Sequence, residues 1–183
     1  WEIKKIEIFS EKLKNNKILN FENNKNTLFY MIRNDELYNL LNNKLLQNSL
    51  FKKKIIKNDN FYKKIFKKND YDLIINCDQN NSLAKKYFTK KIDKDYHNQA
   101  FTTILKHETT KNNTAVQSFT KFGPIAFLPI SNSETSVVFS VDTKKKSYVH
   151  NDIVKLINQN NPKYKIKKIS NLSSFKLSLI NLR

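Results

Sequence analysis

A single glycine, Gly123, occurs in the 183 residues of this chain. The common phosphate-binding loops G-x-G-x-x-G and G-x-x-x-x-G-K-[ST] need several glycines, because their backbone N–H groups approach the phosphates closely. Neither loop can be built here. Glycine adopts positive φ freely, and proline fixes φ. Gly123-Pro124 at one end and Pro129 at the other therefore restrict the backbone conformation of the apolar segment between them. The retained glycine indicates a backbone requirement, either a hairpin turn or a strand edge held close to a flat ligand.

The composition favours a folded domain or a piece of a larger one. Hydrophobic residues make up 39% and aromatic residues 12% of the chain, enough for a packed core. No run of 18 apolar residues occurs, which excludes an ordinary transmembrane helix. The one cysteine, Cys77, excludes an internal disulfide and a multi-cysteine metal site. Because Cys77 follows an apolar run, we expect a buried, inert thiol.

The charge is strongly positive. The chain has 34 basic and 16 acidic residues, a formal net charge of +18. Such a balance raises nucleic acid as a partner, yet only Arg33 and Arg183 are arginines, and arginine makes the bidentate contacts that recognise bases and phosphates. The lysines are spread along the chain, so we expect a solvated surface and no nucleic-acid groove. A net positive field can still attract anionic lipid.

Hydrophobic periodicity predicts an α/β protein, in the α+β sense, with a mixed but largely antiparallel sheet. The continuous apolar run at 71–76 predicts a strand buried on both faces. An antiparallel meander is predicted from the alternating segments at 98–107, 114–119, 125–130 and 136–141. The other predicted strands lie at 1–10, 18–21, 27–32, 53–57, 60–66, 164–169 and 175–182. Helices are predicted at 34–48, 82–88 and 151–158, the last capped by Asn151 or Asp152.

The side chains that could carry chemistry form no recognisable site. The three histidines, His97, His107 and His150, show no metal-ligand spacing, so we predict no metal and a structural or surface role for His107. The acid pairs Asp70/Asp72 and Asp93/Asp95 stand among lysines and are predicted to form solvated ion pairs. Ser82 lacks a nucleophile elbow. No catalytic residue can be named.

Five short motifs follow each other in an order that resembles the flavin-dependent hydroxylases of ubiquinone biosynthesis, relatives of para-hydroxybenzoate hydroxylase. The motifs are Tyr96-His-Asn-Gln-Ala100, His107-Glu108, Ala115-Val-Gln-Ser-Phe119, Phe122-Gly-Pro-Ile-Ala-Phe-Leu-Pro-Ile130 and Thr135-Ser-Val-Val-Phe-Ser140. The segment Tyr71–Ser82 is similar to the family's second flavin motif, in which a strand runs into Asp-Gly and a serine stands four residues after the Asp. Asp78 and Ser82 match that motif, while Gln79 replaces its glycine.

The resemblance implies an FAD-dependent monooxygenase that uses NAD(P)H and O₂ to hydroxylate the ring of a polyprenylated phenol. It implies that Asp78 and Ser82 contact FAD, and that Gly123, Pro124, Ala126, Leu128 and Pro129 line the substrate pocket. A bulky residue at position 123 is then expected to impair hydroxylation more than folding. The cofactor supplies the difficult chemistry, while the protein supplies a dry, oriented pocket.

The resemblance also implies an organisation and a location. It predicts substrate-domain strands and a linking helix at 1–70, part of an FAD-binding Rossmann-like domain at 71–90, the substrate-domain antiparallel sheet and helix at 91–175, and a strand returning to the FAD domain at 176–183. The family's glycine-rich cofactor motifs are missing, so we expect a fragment that is inactive alone. A cytoplasmic location is expected, with association with the periphery of the inner membrane or with a ubiquinone-biosynthesis complex. Two alternatives stay open: a non-catalytic degenerate relative, and a basic module that binds nucleic acid or an anionic membrane.

Overall fold

A computed structural model describes residues 1–13, 16–23, 26–55, 64, 71–78, 80–88, 90–144 and 146–182, with the side chains of 91 and 180–182 left undescribed. The chain divides into two compact units. The first unit joins Trp1–Leu37 to Asp95–Leu177, and the second joins Tyr38–Lys94 to Ser178–Arg183.

Alternating sequences form strands, as the periodicity predicts; all of these strands belong to the first unit, and two of them extend into the second. The strands are β1 Glu2–Ile3, β2 Lys5–Ser10, β3 Asn16–Glu22, β4 Phe29–Tyr30, β5 Lys91–His107, β6 Thr114–Thr120, β7 Gly123–Pro129, β8 Glu134–Asp142, β9 Ile166–Ile169 and β10 Ser173–Leu182. A 3₁₀ turn, Glu11–Leu13, follows β2. The first unit also contains the start of helix α1, Asn34–Leu46, and all of helix α3, His150–Gln159. The predicted α+β class is confirmed.

An eight-stranded sheet organises these strands in the order β10-β5-β8-β7-β6-β2-β3, with β9 also paired to β5. The strands β6, β7 and β8 form an antiparallel meander, and β5 pairs antiparallel with β8. The strand β2 pairs in parallel with β6 and antiparallel with β3. A separate two-stranded ribbon joins β1 to β4. The predicted meander is therefore correct for its last three strands, whereas β5 joins the sheet beyond β8 instead of beside β6.

The core lies between one face of the sheet and α3. Helix α3 buries Ile153, Leu156 and Ile157 against strand residues that include Phe127 and Phe139, which are fully buried. Burying a side chain of this size contributes about 1.5–3 kcal/mol. The predicted cap of α3 is wrong: the helix begins after Val149, and no side chain bonds its first N–H groups.

A buried polar network closes one end of this core around Asn112, which is 1% exposed. Its side-chain NH₂ donates to the Ser131 carbonyl at 2.7 Å and to the Thr135 hydroxyl at 3.0 Å. Its side-chain oxygen accepts from the Tyr164 hydroxyl at 2.9 Å. The connection between β5 and β6 is thus tied to the start of β8.

His107 extends the same network. Its Nδ1 lies 2.8 Å from the Glu108 carbonyl oxygen, and its Nε2 lies 3.0 Å from the Thr135 hydroxyl. A carbonyl only accepts, so Nδ1 carries a hydrogen and donates it to the Glu108 carbonyl. Burial raises the pKa of Tyr164, whose ring centroid is 4.4 Å from that of His107. The predicted structural role of His107 is confirmed.

The second unit contains most of α1 and the short helix α2, Ser82–Tyr87. Both helices were predicted at these places. Asn81 caps α2, because its side-chain oxygen accepts from the Ala84 N–H at 3.0 Å. None of the described helices is long and apolar enough to cross a membrane.

Three predictions for the second unit are wrong where the structure describes the residues. Residues 71–76 form no strand and are all exposed, and no described strand pairs with them. An apolar run becomes a buried strand only where neighbouring strands cover it. Cys77 comes directly after this segment and is also exposed, so the prediction of a buried thiol is wrong. Of the short strands predicted at 53–57 and 60–66, the described residues 53–55 and 64 belong to no strand, and 56–63, 65 and 66 lie outside the described residues.

Candidate functional site

The two faces of the large sheet differ in burial. Along β7, Ile125, Phe127 and Pro129 are buried, while Ala126 and Leu128 between them are only partly covered. Strand β8 shows the same alternation. Since neighbouring residues of a strand point to opposite faces, one face packs on α3 and the other is partly open to solvent. We call the second face the open face.

The register aligns the open face in rows across the strands. One row crosses five strands, because Thr102 lies opposite Val138, Val138 opposite Ala126, Ala126 opposite Gln117, and Gln117 opposite Ile8. All five side chains are partly exposed. The row combines small or branched apolar groups with one hydroxyl and one amide. It offers a low, mostly apolar surface with two hydrogen-bonding groups.

A second row lies beside the first and has the same character. It contains Ile104 opposite Ser136, and Ser136 opposite Leu128. Neither row contains a carboxylate, imidazole, thiol or amine, so the rows supply no general acid or base, and none that could activate the hydroxyls of Thr102 and Ser136. They can pack against a flat apolar molecule, orient it through a few hydrogen bonds and exclude water.

The predicted pocket residues of β7 lie on different faces. Pro124, Ala126 and Leu128 alternate onto the open face. Pro129 has a fully buried side chain on the α3 side, opposite the buried Thr135. The open face therefore contains Pro124, Ala126 and Leu128 but not Pro129.

Gly123 has a backbone conformation that other residues rarely adopt, with φ of +136°. A Cβ added here would overlap the carbonyl oxygen of Ser140 on β8. The turn is further fixed by the Thr120 hydroxyl, which donates to the Gly123 carbonyl at 2.7 Å. The predicted backbone requirement is confirmed, and its cause is the hairpin and the close approach of β8. The same geometry means that a bulky residue at 123 would also disturb folding, because the added atoms would meet the backbone of β8.

Asp78 lies in the second unit, and its side chain is exposed. Its carboxylate accepts from the Asn80 N–H at 2.8 Å, and its own N–H donates to the Asn76 side chain at 3.2 Å. Asn76 also exchanges hydrogen bonds with Asn81, the cap of α2, at 2.7 and 3.2 Å. These hydrogen bonds link Asn76 and Asp78 to the start of α2, and the Asp78 side chain is exposed.

Ser82 starts α2 and carries an unusual hydroxyl. Its oxygen is buried, and within the described part of the chain it has no hydrogen-bond partner. Buried hydroxyls normally have a partner, because leaving one unpaired costs about 1–3 kcal/mol. An unsatisfied hydroxyl four residues after an exposed carboxylate fits a polar ligand group, as the resemblance to a flavin motif implies.

A polar cavity of about 370 Å³ lies in the first unit, lined by residues that include Asp95, His97 and Lys176. Lys176 lies 2.7 Å from the Asp95 carboxylate, and this contact lowers the pKa of Asp95. His97 has φ of +55°, and its carbonyl accepts from both the N–H and the hydroxyl of Thr143. Asp95 thus behaves as the predicted solvated ion pair. Among the described residues no group of three His, Cys, Asp or Glu side chains could hold a metal ion.

The sequence did not reveal the open face or the buried network. Thr102, Gln117 and Val138 belong to strands that were predicted, but their meeting in one row depends on register. From the sequence alone, Asn112 cannot be distinguished from an ordinary turn residue. Its fully buried position follows from strands that are distant in the chain.

Comparison with known proteins gives partial matches. No protein-family model matches the chain. Over 70 residues the chain is 37% identical to the ubiquinone biosynthesis monooxygenase COQ6, mitochondrial, of Danio rerio. That match covers 37% of this chain and 14% of the relative, so the chain spans a small part of the relative's length. A crystal structure of the tetracycline destructase Tet(51) aligns with a TM-score of 0.49 at 10% identity, covering all of this chain and 53% of that one.

Proposed function

We propose that this chain supplies the substrate-covering sheet of an FAD-dependent monooxygenase that hydroxylates the aromatic ring of a polyprenyl phenol, with NAD(P)H and O₂ as co-substrates. The observation that carries the proposal is the open face, whose two central rows are uncharged and mostly apolar and are backed by a packed core. The 70-residue similarity to a ubiquinone biosynthesis monooxygenase supports the same reaction class.

The chemistry of the open face suits this role. A phenol ring needs an apolar surface to lie on and one or two groups that fix its hydroxyl. Ala126, Leu128 and Val138 supply the surface, while Thr102 and Gln117 supply a hydroxyl and an amide in the neighbouring positions. The absence of titratable groups from the two rows leaves the protein to position the ring and to keep water away from it.

FAD, when bound, supplies the activation of O₂. Of the residues in this chain, Asp78 and Ser82 would hold polar parts of the cofactor, since one is exposed and the other carries an unsatisfied buried hydroxyl. The chain has no glycine-rich loop to bind the pyrophosphate. Binding of that group would depend on residues outside the 183.

The direct test is a hydroxylation assay with the protein purified from the cells that produce it naturally. The purified protein is given FAD, NADH or NADPH, and a 2-polyprenylphenol, and the hydroxylated product is measured by mass spectrometry. Ala126→Arg places a charge in the middle of the open face, and an apolar ring cannot cover an unpaired charge without cost. We expect at least about a tenfold loss of kcat/KM, equivalent to about 1.4 kcal/mol.

Thr109→Arg is the matched control, because Thr109 is exposed in the connection after β5 and lies outside both rows. It should leave kcat/KM unchanged. The proposal fails if the native protein forms no hydroxylated product with either nicotinamide, or if Ala126→Arg is as active as Thr109→Arg.

A further inference from the structure

The hairpin of β2 and β3 carries its charges on one face. Side chains that lie directly opposite each other on paired strands share a face of the sheet. Glu22 lies opposite Lys5, and Lys17 lies opposite Phe9, which packs on the core beside α3. Glu7 joins the two lysines, at 3.2 Å from Lys5 and 2.6 Å from Lys17. All four charged residues of these two strands therefore lie on the α3 side.

The other face of the hairpin is apolar and continues the open face. Ile8 lies opposite Gln117 of the open face, and Leu19 lies opposite Ile8. In the same way, Phe21 lies opposite Ile6. We call Ile6, Ile8, Leu19 and Phe21 the hairpin patch. Leu19 and Phe21 are each 49% exposed, and none of the paired residues on this face of the two strands is charged.

Contact with water alone does not explain this separation. A solvated sheet face normally carries polar side chains, and this chain has 34 basic residues that could supply them. The hairpin instead directs its charges away from the open face and leaves two large apolar side chains half exposed. An exposed apolar surface that is continuous with a binding surface indicates a site for an apolar group.

The hairpin patch lies at a defined distance from the position proposed for the ring. Three strand spacings separate Ala126 on β7 from Leu19 on β3, which is about 14 Å. An isoprene unit adds four carbon–carbon bonds of about 1.5 Å each, so an extended unit spans about 5 Å. A tail of three units on a ring at Ala126 would therefore reach β3.

We propose that the hairpin patch binds the first three isoprene units of the substrate's tail, and that the enzyme thereby prefers phenols with at least three units. The inference rests on the proposed function, from which it takes the position of the ring. A tail without polar groups needs only an apolar surface, because both surfaces leave water when they meet. Binding energy gained far from the reacting ring raises kcat/KM.

Hydroxylation of phenols with one to four isoprene units at C2 tests the preference. The second and third units should each raise kcat/KM by at least about threefold, and the fourth by less than about twofold. Leu19→Thr/Phe21→Thr removes half of the patch and should fold, since threonine suits an exposed strand. It should lower kcat/KM at least about fivefold for 2-farnesylphenol and less than about twofold for 2-prenylphenol.

The control is Phe175→Thr/Leu179→Thr, which makes the same two replacements on β10 at the opposite end of the sheet. Phe175 and Leu179 are 56% and 44% exposed, close to the residues that they match. This variant should keep the ratio of kcat/KM for 2-farnesylphenol and 2-prenylphenol within about twofold of the wild-type ratio.

Methyl NMR of the chain tests tail binding without turnover. 2-Farnesylphenol should shift the methyl signals of Ile8 and Leu19 saturably, whereas 2-prenylphenol should shift Ala126 and leave those two unchanged. If no phenol is hydroxylated but these shifts occur, the reaction is refuted and the tail site is supported. Equal kcat/KM for all tail lengths, or the same Ile8 and Leu19 shifts with both phenols, would overturn the proposal. A wild-type dimer that Leu19→Thr/Phe21→Thr converts to monomers would instead assign the hairpin patch to a second copy of the chain.

Discussion

Gly123→Ala should destabilise the protein far more than an ordinary turn substitution. The residue has φ of +136°, and a Cβ would overlap the Ser140 carbonyl oxygen. A left-handed backbone costs other residues about 1–2 kcal/mol, and an extra methyl forced into packed surroundings costs about 1–3 kcal/mol. The overlapping atom belongs to the backbone of β8, so no side-chain rotation relieves it. We expect a loss of about 2–5 kcal/mol, a large share of the 5–15 kcal/mol that is typical of a domain.

Urea unfolding followed by circular dichroism measures this loss. Lys121→Ala is the control, since Lys121 is exposed in the same turn, and it should change the free energy of unfolding by less than about 0.5 kcal/mol. A loss of less than about 1 kcal/mol for Gly123→Ala would refute the reasoning. In that case the glycine would not be required by the approach of β8, and a need to accommodate a ligand would become the better explanation.

Other predictions follow from the network, the ion pairs and the missing loops. Asn112→Ala should lower the free energy of unfolding by about 2–4 kcal/mol, because it leaves buried hydroxyls without partners, whereas Asn132→Ala at an exposed position should change it little; urea unfolding checks both. A hydrogen bond from Lys17 is the main cause that lowers the pKa of Glu7. Its stabilisation is therefore present above the ordinary carboxyl pKa and is lost as the pH falls through the lowered one, so Glu7→Gln should flatten the acid side of the Tm–pH curve, and an unchanged slope would contradict this. The 183 residues alone should bind FAD weakly or not at all, and tight stoichiometric binding in a flavin fluorescence titration would show that other groups replace the glycine-rich loops.

The local elements were predictable because their signals lie within a few residues. The period-two alternation of β6, β7 and β8 and the turns between them appear directly in the sequence. The leucine spacing of α1 and the polar residues at the start of α2 likewise indicate the helices directly from the sequence. These patterns depend on one element at a time.

The errors arose where burial depends on neighbours. The apolar run at 71–76 has the composition of a buried strand, but no described strand covers it, and Cys77 is exposed with it. Similarly, β5 was expected beside β6, its neighbour in sequence, but pairs with β8. Composition cannot distinguish an apolar run with sheet neighbours from one without them.

The strand that carries the candidate site was predictable from the sequence, but the arrangement of the site's residues was not. The Gly-Pro strand was singled out from sequence, and Ala126 and Leu128 do lie on the open face. Pro129 lies on the other face, which alternation would have indicated once one face was known to be buried. Thr102 and Gln117 escaped notice because only the register brings them into one row with Ala126.

The most direct measurement of the central claim is methyl NMR of the chain titrated with a short-chain prenylphenol. If the open face receives the aromatic ring, the methyl signals of Ala126, Leu128 and Val138 should shift saturably. Ile125 and Val137, buried on the opposite face of the same strands, should keep their positions. Saturable shifts confined to Ile125 and Val137, or no saturable shift on the open face, would contradict the account.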